Sequence, residues 1–489
     1  MDTQFTHYDH LGFINPFYFR KDGVICSSES FRGMHSQKET NSVIDPTSVM
    51  ELLNCSHTFG DRTMVADVSM SPWMSKPNND ITDWSYVSSL PQHGNLLLSE
   101  HDAATGLFSR LLDEVETYIG NKKRVGLLLS GGMDSRILAT VIKHLQLAGR
   151  CKISVIGLTW GMKNSRDVVY AQKIAELYGW DWQHFELNSD TLLENIGVAA
   201  ENGAIYSPVH LHAMPAISRL KGLDCVIAGS FGDSVGRAEY SGINVTDLTS
   251  TDKNIFNKFC MIDQQVFNEN IKNTAEDLSG YHRLFPRSEN FQLYELEKQI
   301  HYMRKQLNQC MSVINQNIPL YQAFSSPEVF GYVWSLDTSV RNDFIYHHIL
   351  EQYSPEQLDI PWARTGVRYL GASSLMPDEF SQNYHLNGKW IREDLYEEIK
   401  QRVMSDNIDR LNVFNMDVLR KLLWLNSFDM SDSMSMIDEY LIYIASLSDF
   451  SSRYKLRGVP KNHKGLFDKI RRNITCVLHY AGYRAKHIF

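Results

Sequence analysis

The sequence predicts an α/β protein: a parallel sheet flanked by helices, with a small β-rich N-terminal region before it and a helical C-terminal extension after it. Three observations carry this expectation. Between Arg124 and Leu145 an apolar run, Val125 to Leu129, passes through a glycine turn into Ile137, Leu138, Val141, Ile142 and Leu145 at helical spacing. Beyond it, strand and helix patterns alternate as far as Ala228, which implies right-handed parallel crossovers. The first hundred or so residues instead hold short runs separated by turn residues.

Taken in order, Gly12 to Phe19, Gly23 to Cys26, Thr63 to Val68 and Asn95 to Ser99 read as strands, Pro46 to Leu53 as a helix and Asn78 to Asp83 as a loop. A helix over Ala103 to Ile119 leads to the glycine turn. Lys152 to Leu158 is the next strand, Asp167 to Tyr178 a helix closed by Gly179, and Trp182 to Leu187 a third strand. Helices over Thr191 to Ala200 and His212 to Lys221 precede the strand Asp224 to Ala228, which runs into Gly229, Ser230, Phe231, Gly232, Asp233 and Ser234. Leu293 to Arg341 reads as helical throughout, with Arg304 and Lys305 expected to be solvated rather than to face a ligand. The divisions expected are 1–100, 101–370 and 371–489.

Composition is that of an ordinary globular protein, with 43% hydrophobic and 21% charged residues. No signal sequence or membrane-span-length apolar stretch is visible, so the cytoplasm is the expected location. The seven cysteines (26, 55, 151, 225, 260, 310 and 476) contain no CxxC pair and are expected to be reduced core residues. The net charge of -9 is uneven: from Arg453 onward ten Lys or Arg stand against Asp468 alone, giving +9 there and -18 elsewhere. Such a tail suits an anionic membrane surface or an anionic substrate carrier, a solvated end being the plainer expectation.

The turn carries the chemistry. Gly131 and Gly132 let the backbone pass close to a bulky anion, and the amides opening the following helix supply positive potential for phosphate. Ser130 and Ser135 add hydroxyls. Asp134 would repel a pyrophosphate unless Mg²⁺ lay between them, so the turn predicts a magnesium nucleotide. Ligands of such sheets bind at the carboxyl ends of the strands, where Asp233 also falls, and two strand-end aspartates can share metal ions on one triphosphate.

The stretch SGGMDSR, Ser130 to Arg136, resembles the pyrophosphate loop of the ATP-pyrophosphatase superfamily, and the surrounding chain resembles its asparagine synthase family. FGDRTMVADV (Phe59 to Val68), VIGLTWG (Val155 to Gly161), YAQKIAELYG (Tyr170 to Gly179) and AGSFGDSVG (Ala228 to Gly236) extend the likeness over roughly residues 40–370. The resemblance implies the adenine nucleotide α-hydrolase-like fold with a parallel five-stranded sheet. It implies adenylation of a carboxylate by ATP, with AMP and pyrophosphate released when an amine or ammonia forms the amide. Carried over, Ser130, Gly131, Gly132, Asp134 and Ser135 would hold pyrophosphate and Mg²⁺, Leu129, Ile156 and Gly229 would border the adenosine, and Asp233 would be a second metal anchor.

Departures from the family are equally informative. Glutamine-dependent members place a cysteine after the initiator Met, whereas this sequence reads Met1, Asp2, Thr3, so a truncated remnant without glutaminase activity is expected. Ser230 and Ser234 stand where asparagine synthetases carry acidic residues, and Arg364, the cation nearest the family's later lysine that stabilises the adenylation transition state, is with Asp134 and Asp233 a candidate catalytic residue. The segment around His385, Gly388, Trp390 and Arg392 resembles asparagine synthase-like proteins of cell-surface polysaccharide synthesis, which would make the substrate a sugar acid or attached amino acid. A catalytically degenerate ATP-binding scaffold is the alternative. An RNA-thiolating adenylase is disfavoured, because no suitable cysteine pair or basic RNA surface accompanies the motif. His210 and His212, like His347 and His348, lack a third metal ligand at suitable spacing and read as packing or surface residues. The sequons at Asn54, Asn244 and Asn473 have no meaning in the cytoplasm. No nucleic-acid partner is expected, and a homo-oligomer is left open.

Overall fold

The computed structural model describes residues 7–38, 42–87, 90–236, 255–369, 378–460 and 466–487, with the side chains of 466–471 and 486–487 excepted. Met1 to Thr3, the Asn244 sequon, and Lys461 and Lys464 of the basic tail lie outside the described residues.

The N-terminal region opens on a hairpin. β1 (Phe17–Lys21) and β2 (Val24–Ser28) pair antiparallel around Asp22 and Gly23, both at positive φ, the backbone that matches strand twist in a two-residue turn. β3 (Ser69–Met70) joins β1, while β4 (Ser75–Pro77) and β5 (Trp84–Tyr86) form a separate ribbon. α1 (Phe31–Ser36) follows the hairpin, and α2 (Pro46–Cys55) starts at Asp45, whose carboxylate accepts the Thr47 amide. Thr63 to Val68 is not the expected strand. The Thr63 hydroxyl bonds the carbonyls of Val65 and Val68, folding the stretch on itself in place of a ladder. Asn95 to Ser99 contributes only a bridge from Leu96 to Leu336.

The central sheet matches the expectation. α3 (Glu100–Ile119) leads to β6 (Arg124–Leu128), α4 (Met133–Leu147), β7 (Ser154–Gly161), α5 (Arg166–Tyr178), β8 (Asp181–Glu186), α6 (Ser189–Glu201), β9 (Cys225–Ala228) and β10 (Leu320–Gln322). All five strands are parallel, in the order β10-β9-β6-β7-β8. Gly179, at φ 67°, ends α5 as its spacing predicts. Two expectations about the elements around this sheet fail. The helix read over His212 to Lys221 shortens to Met214–Ser218, and β10 interrupts the stretch read as helical. A buried three-residue strand shows no periodicity that a sequence reading can detect.

Arg304 and Lys305 are not solvated; both are fully buried within a π-helical turn, Lys298–Asn308. Arg304 donates to Asn15 Oδ1 at 2.6 Å and to the Ser71 carbonyl, and pairs with Asp61 at 3.3 Å. Lys305 donates to the Arg62 carbonyl at 2.8 Å, and burial pushes its amine well below the usual lysine range. Both therefore fasten the N-terminal region to the helices behind β10.

One face of the sheet packs α3, α4 and α5 through Leu107, Leu127, Ile137 and Ile174. The other face shares a core with the N-terminal and C-terminal parts: Phe31, Met64, Leu158, Ile196, Leu441 and Phe450 are contiguous. The helix Met436–Arg453, buried almost all round, packs on α6. Of the seven cysteines, Cys225, Cys310 and Cys476 are buried, but Cys26, Cys55, Cys151 and Cys260 are only half-buried. Among the described residues no helix is long and apolar enough to cross a membrane.

Candidate active site

The turn after β6 forms a cradle closed by its own side chains. The Ser130 amide donates to Ser135 Oγ at 3.2 Å and the Gly132 amide to Ser130 Oγ at 3.1 Å. Gly132 is the N-cap of α4 and brings no side chain to cap the helix amides, which are thus positioned to meet an anion. A methyl on Gly131 would lie 2.7 Å from Ala363 Cβ, so only glycine lets the turn and that segment touch.

The second loop is held against the first by contact with Asp134. A Cβ on Gly229 would stand 3.1 Å from the Asp134 carbonyl carbon, and one on Gly232 only 2.5 Å from Asp134 Oδ1. With those methyls absent, Asp134 and Asp233 line one cleft of about 410 Å³ at the carboxyl edge of the sheet. Ser130, Gly132 and Met133 form its floor. Asp167, from the first turn of α5, adds a third carboxylate, and Trp362, Ala363, Arg364, Gln382 and Tyr384 close the remaining side. Asp167 accepts the Gly131 amide; burial raises its carboxyl above the usual range, partly offset by that bond and by the Arg136 charge. Burial likewise pushes the Tyr384 phenol up to about 12.

Arg136, the last residue of the SGGMDSR motif, is fully buried and sets the distal wall. Its guanidinium donates to the carbonyls of Ile360 at 2.7 Å, Gly131 at 3.1 Å, Gln357 at 3.3 Å and Pro361. The Ala363 amide donates to the Gly131 carbonyl at 3.1 Å. These bonds bring Arg364 to the cleft, its guanidinium 5.5 Å from the centre of the Trp362 ring. Burial lowers Arg136 to about 10, so at neutral pH it remains a cation directly behind the phosphate-type turn. A strap, Asp378 to Tyr384, is tied over α5 by Arg166 and Tyr170, both bonded to Asp378.

Of the residues singled out in the sequence, Ser130, Gly132, Asp134, Asp233 and Arg364 line the cleft, while Gly131, Ser135 and Gly229 shape it from behind. Leu129 and Ile156 are buried in the two cores and are not among the lining residues. Asp167, Gln382 and Tyr384 had not been singled out; for Asp167 the signal was its place at the carboxyl end of the second parallel strand, the same rule that selected Asp134. Ser230 donates to Met311 Sδ at 2.7 Å and Ser234 to the Phe231 carbonyl at 3.1 Å. His210 lies 3.4 Å from Glu439, and His212 is held neutral by burial, which lowers it to about 3. Glu351 supplies a third ligand-type group within 4.8 Å of those of His347 and His348, outside the cleft.

The residues present fit Mg²⁺. Asp134, Asp167 and Asp233 are hard oxygen donors converging on one cleft, and the space left by the missing Gly232 methyl lets Asp134 approach the second loop.

An all-parallel α/β sheet carries, at its carboxyl edge, a strand–turn–helix whose first amides have no side-chain cap, together with three aspartates. Residues 107–243 match the family model for asparagine synthase. That match contains Asp134, Asp167 and Asp233 and supports an ATP-using activity of the adenylating or C–N ligating kind. No curated protein matches the chain. Among solved structures, the U34-tRNA thiolase NcsA from Methanococcus maripaludis with its [4Fe-4S] cluster aligns at 16% identity over 46% of this chain and 83% of that one, with a TM-score of 0.22.

Proposed function

We propose that the chain is an ATP-dependent amide-forming ligase that adenylates a substrate carboxylate and transfers it to an amine or ammonia, releasing AMP and pyrophosphate. The observation that carries this reading is the meeting of Asp134 and Asp233, from two separate strand ends, in one cleft at the N-terminus of α4. The turn amides and Ser130 hold phosphate oxygens, and Arg364 clamps the nucleotide or substrate from the facing wall. Asp134 and Asp233 would hold Mg²⁺, which when bound neutralises charge growing on the leaving pyrophosphate. Asp167 fixes the turn by holding the Gly131 amide, and Trp362 with Tyr384 limits water access to a hydrolysable acyl adenylate. Sugar acids and carrier-linked amino acids are the carboxylates we favour, in line with the sequence around His385 and the basic tail.

The test is a pyrophosphate-release screen across carboxylates and amines. Equimolar AMP and pyrophosphate are expected only with carboxylate present, with a loss of at least about 100-fold in Asp134→Ala. ADP as product, or steady turnover by that variant, would refute the reading. The second reading, an ATP-binding scaffold, draws on Ser230 and Ser234, hydroxyls engaged by Met311 and the Phe231 carbonyl where asparagine synthetases carry acidic residues. ATP binding by calorimetry with no pyrophosphate release from any pair would favour it.

A further inference from the structure

We propose that the outer face of the C-terminal helix Leu466–His487, with the adjoining helix Met416–Asn426, docks on an anionic lipid bilayer. The C-terminal helix carries two apolar stripes where a surface helix ordinarily has one. The inner stripe is satisfied: Cys476 is buried, Tyr480 donates to the Leu425 carbonyl at 3.1 Å, and Tyr483 accepts the Met436 amide at 3.3 Å. The outer stripe, Ile474, Val477, Leu478, Ala481 and Ala485, repeats at helical spacing and faces solvent, with Ile474 57% and Leu478 65% exposed.

Beside it stand Trp424, Phe428 and Met430, at 59%, 62% and 84% exposure, the two rings 5.1 Å apart. A groove of about 770 Å³ joins the two helices, its walls Trp424, Asn473, Ile474, Val477 and Leu478 and its edge Lys421 and Arg420, the latter paired with Asp417 at 3.0 Å. A contiguous apolar patch of this kind marks an interaction surface.

Charge selects the occupant. The patch falls in and beside the stretch that is +9 from Arg453 onward, on a chain otherwise -18. Trp, Phe and Leu flanked by Lys and Arg are what an amphipathic helix presents to the headgroup boundary of an anionic leaflet. The acidic remainder is repelled by the same leaflet, which orients the molecule with this face inward. A protein partner would need no such segregation of charge.

Flotation of the full chain with phosphatidylcholine vesicles, with and without about 30% phosphatidylserine, tests the inference. Co-flotation is expected with the anionic vesicles alone and should weaken at about 0.5 M salt. Ile474→Asp combined with Leu478→Asp should lower the bound fraction by at least about tenfold with unchanged thermal melting, because both side chains are exposed, and Lys421→Glu, at a half-buried position, should lower it by about fivefold. Trp424→Ser is the second apolar variant, read in the same way if the double variant melts early. Absence of flotation with anionic vesicles, or equal flotation of the apolar variants, overturns the proposal. So does a wild-type dimer in light scattering that the apolar variants convert to monomer, since that assigns the face to a second copy of the chain.

Discussion

Replacing Gly232 by alanine isolates the contact on which the site depends. The added methyl would lie 2.5 Å from Asp134 Oδ1 and 2.6 Å from its Cβ and Cγ. Carbon pairs rest at about 3.5–4.0 Å, so Asp134 or the second loop must retreat by roughly 1 Å. Overpacking of this size costs about 1–3 kcal/mol. Helix propensity favours alanine by about 1 kcal/mol in a helix interior, but Gly232 opens a four-residue helix, so the clash dominates. A misplacement of about 1 Å at reacting groups lowers turnover by about 100-fold. Calorimetry should therefore show Mg-ATP affinity falling by about tenfold, or about 1.4 kcal/mol, and pyrophosphate release should fall further. Gly197→Ala in α6 is the control: nothing lies within 4 Å of its added methyl, so it should gain up to about 1 kcal/mol by urea unfolding and bind Mg-ATP normally. Wild-type affinity and an unchanged unfolding midpoint in Gly232→Ala would refute the contact between the loops.

Arg136→Lys should lose about 2–4 kcal/mol in urea unfolding and speed amide exchange over residues 357–363, because one ammonium cannot satisfy four buried carbonyls arranged around a planar fork; equal exchange would count against the clamp. Asp233→Asn should raise the Mg²⁺ concentration needed for half-maximal ATP binding by about tenfold, while chelation with EDTA should bring both proteins to the same weak affinity; identical Mg²⁺ titrations would remove Asp233 from the site. His57 and His212 are each held by burial at about 3, against about 6.5 unfolded, so the unfolded chain binds protons the folded chain refuses. Stability is then complete above about pH 6.5 and falls on acidification, by about 2 kcal/mol per histidine at pH 5. Urea midpoints at the two pH values check this, and His212→Gln should flatten the slope; a chain more stable at pH 5 would contradict it.

How far the sequence could be read follows from the range of each interaction. The start of α2 at Pro46 and the end of α5 at Gly179 rest on a few adjacent residues, and each local signal has its structural counterpart. Thr63 to Val68 misleads because apolar residues in a short run look alike whether they pair with a strand or fold around a threonine hydroxyl. Arg304 and Lys305 mislead because a charge reads as exposed until its partners, hundreds of residues away in sequence, are known. The absence of a recognisable period similarly hides β10, whose identity as a strand comes from its pairing with β9.

The sequence by itself determined the strand–turn–helix of Val125 to Leu145, the acidic second turn and the uneven charge, since apolar spacing, glycine and local charge act within a turn or two of the chain. Tertiary structure alone decided that Asp167 joins Asp134 and Asp233 in one cleft, and that Arg136 carries Arg364 to its wall. Convergence of this kind depends on strand order and on which atoms a missing Cβ lets approach, and neither is written in the neighbourhood of any one residue.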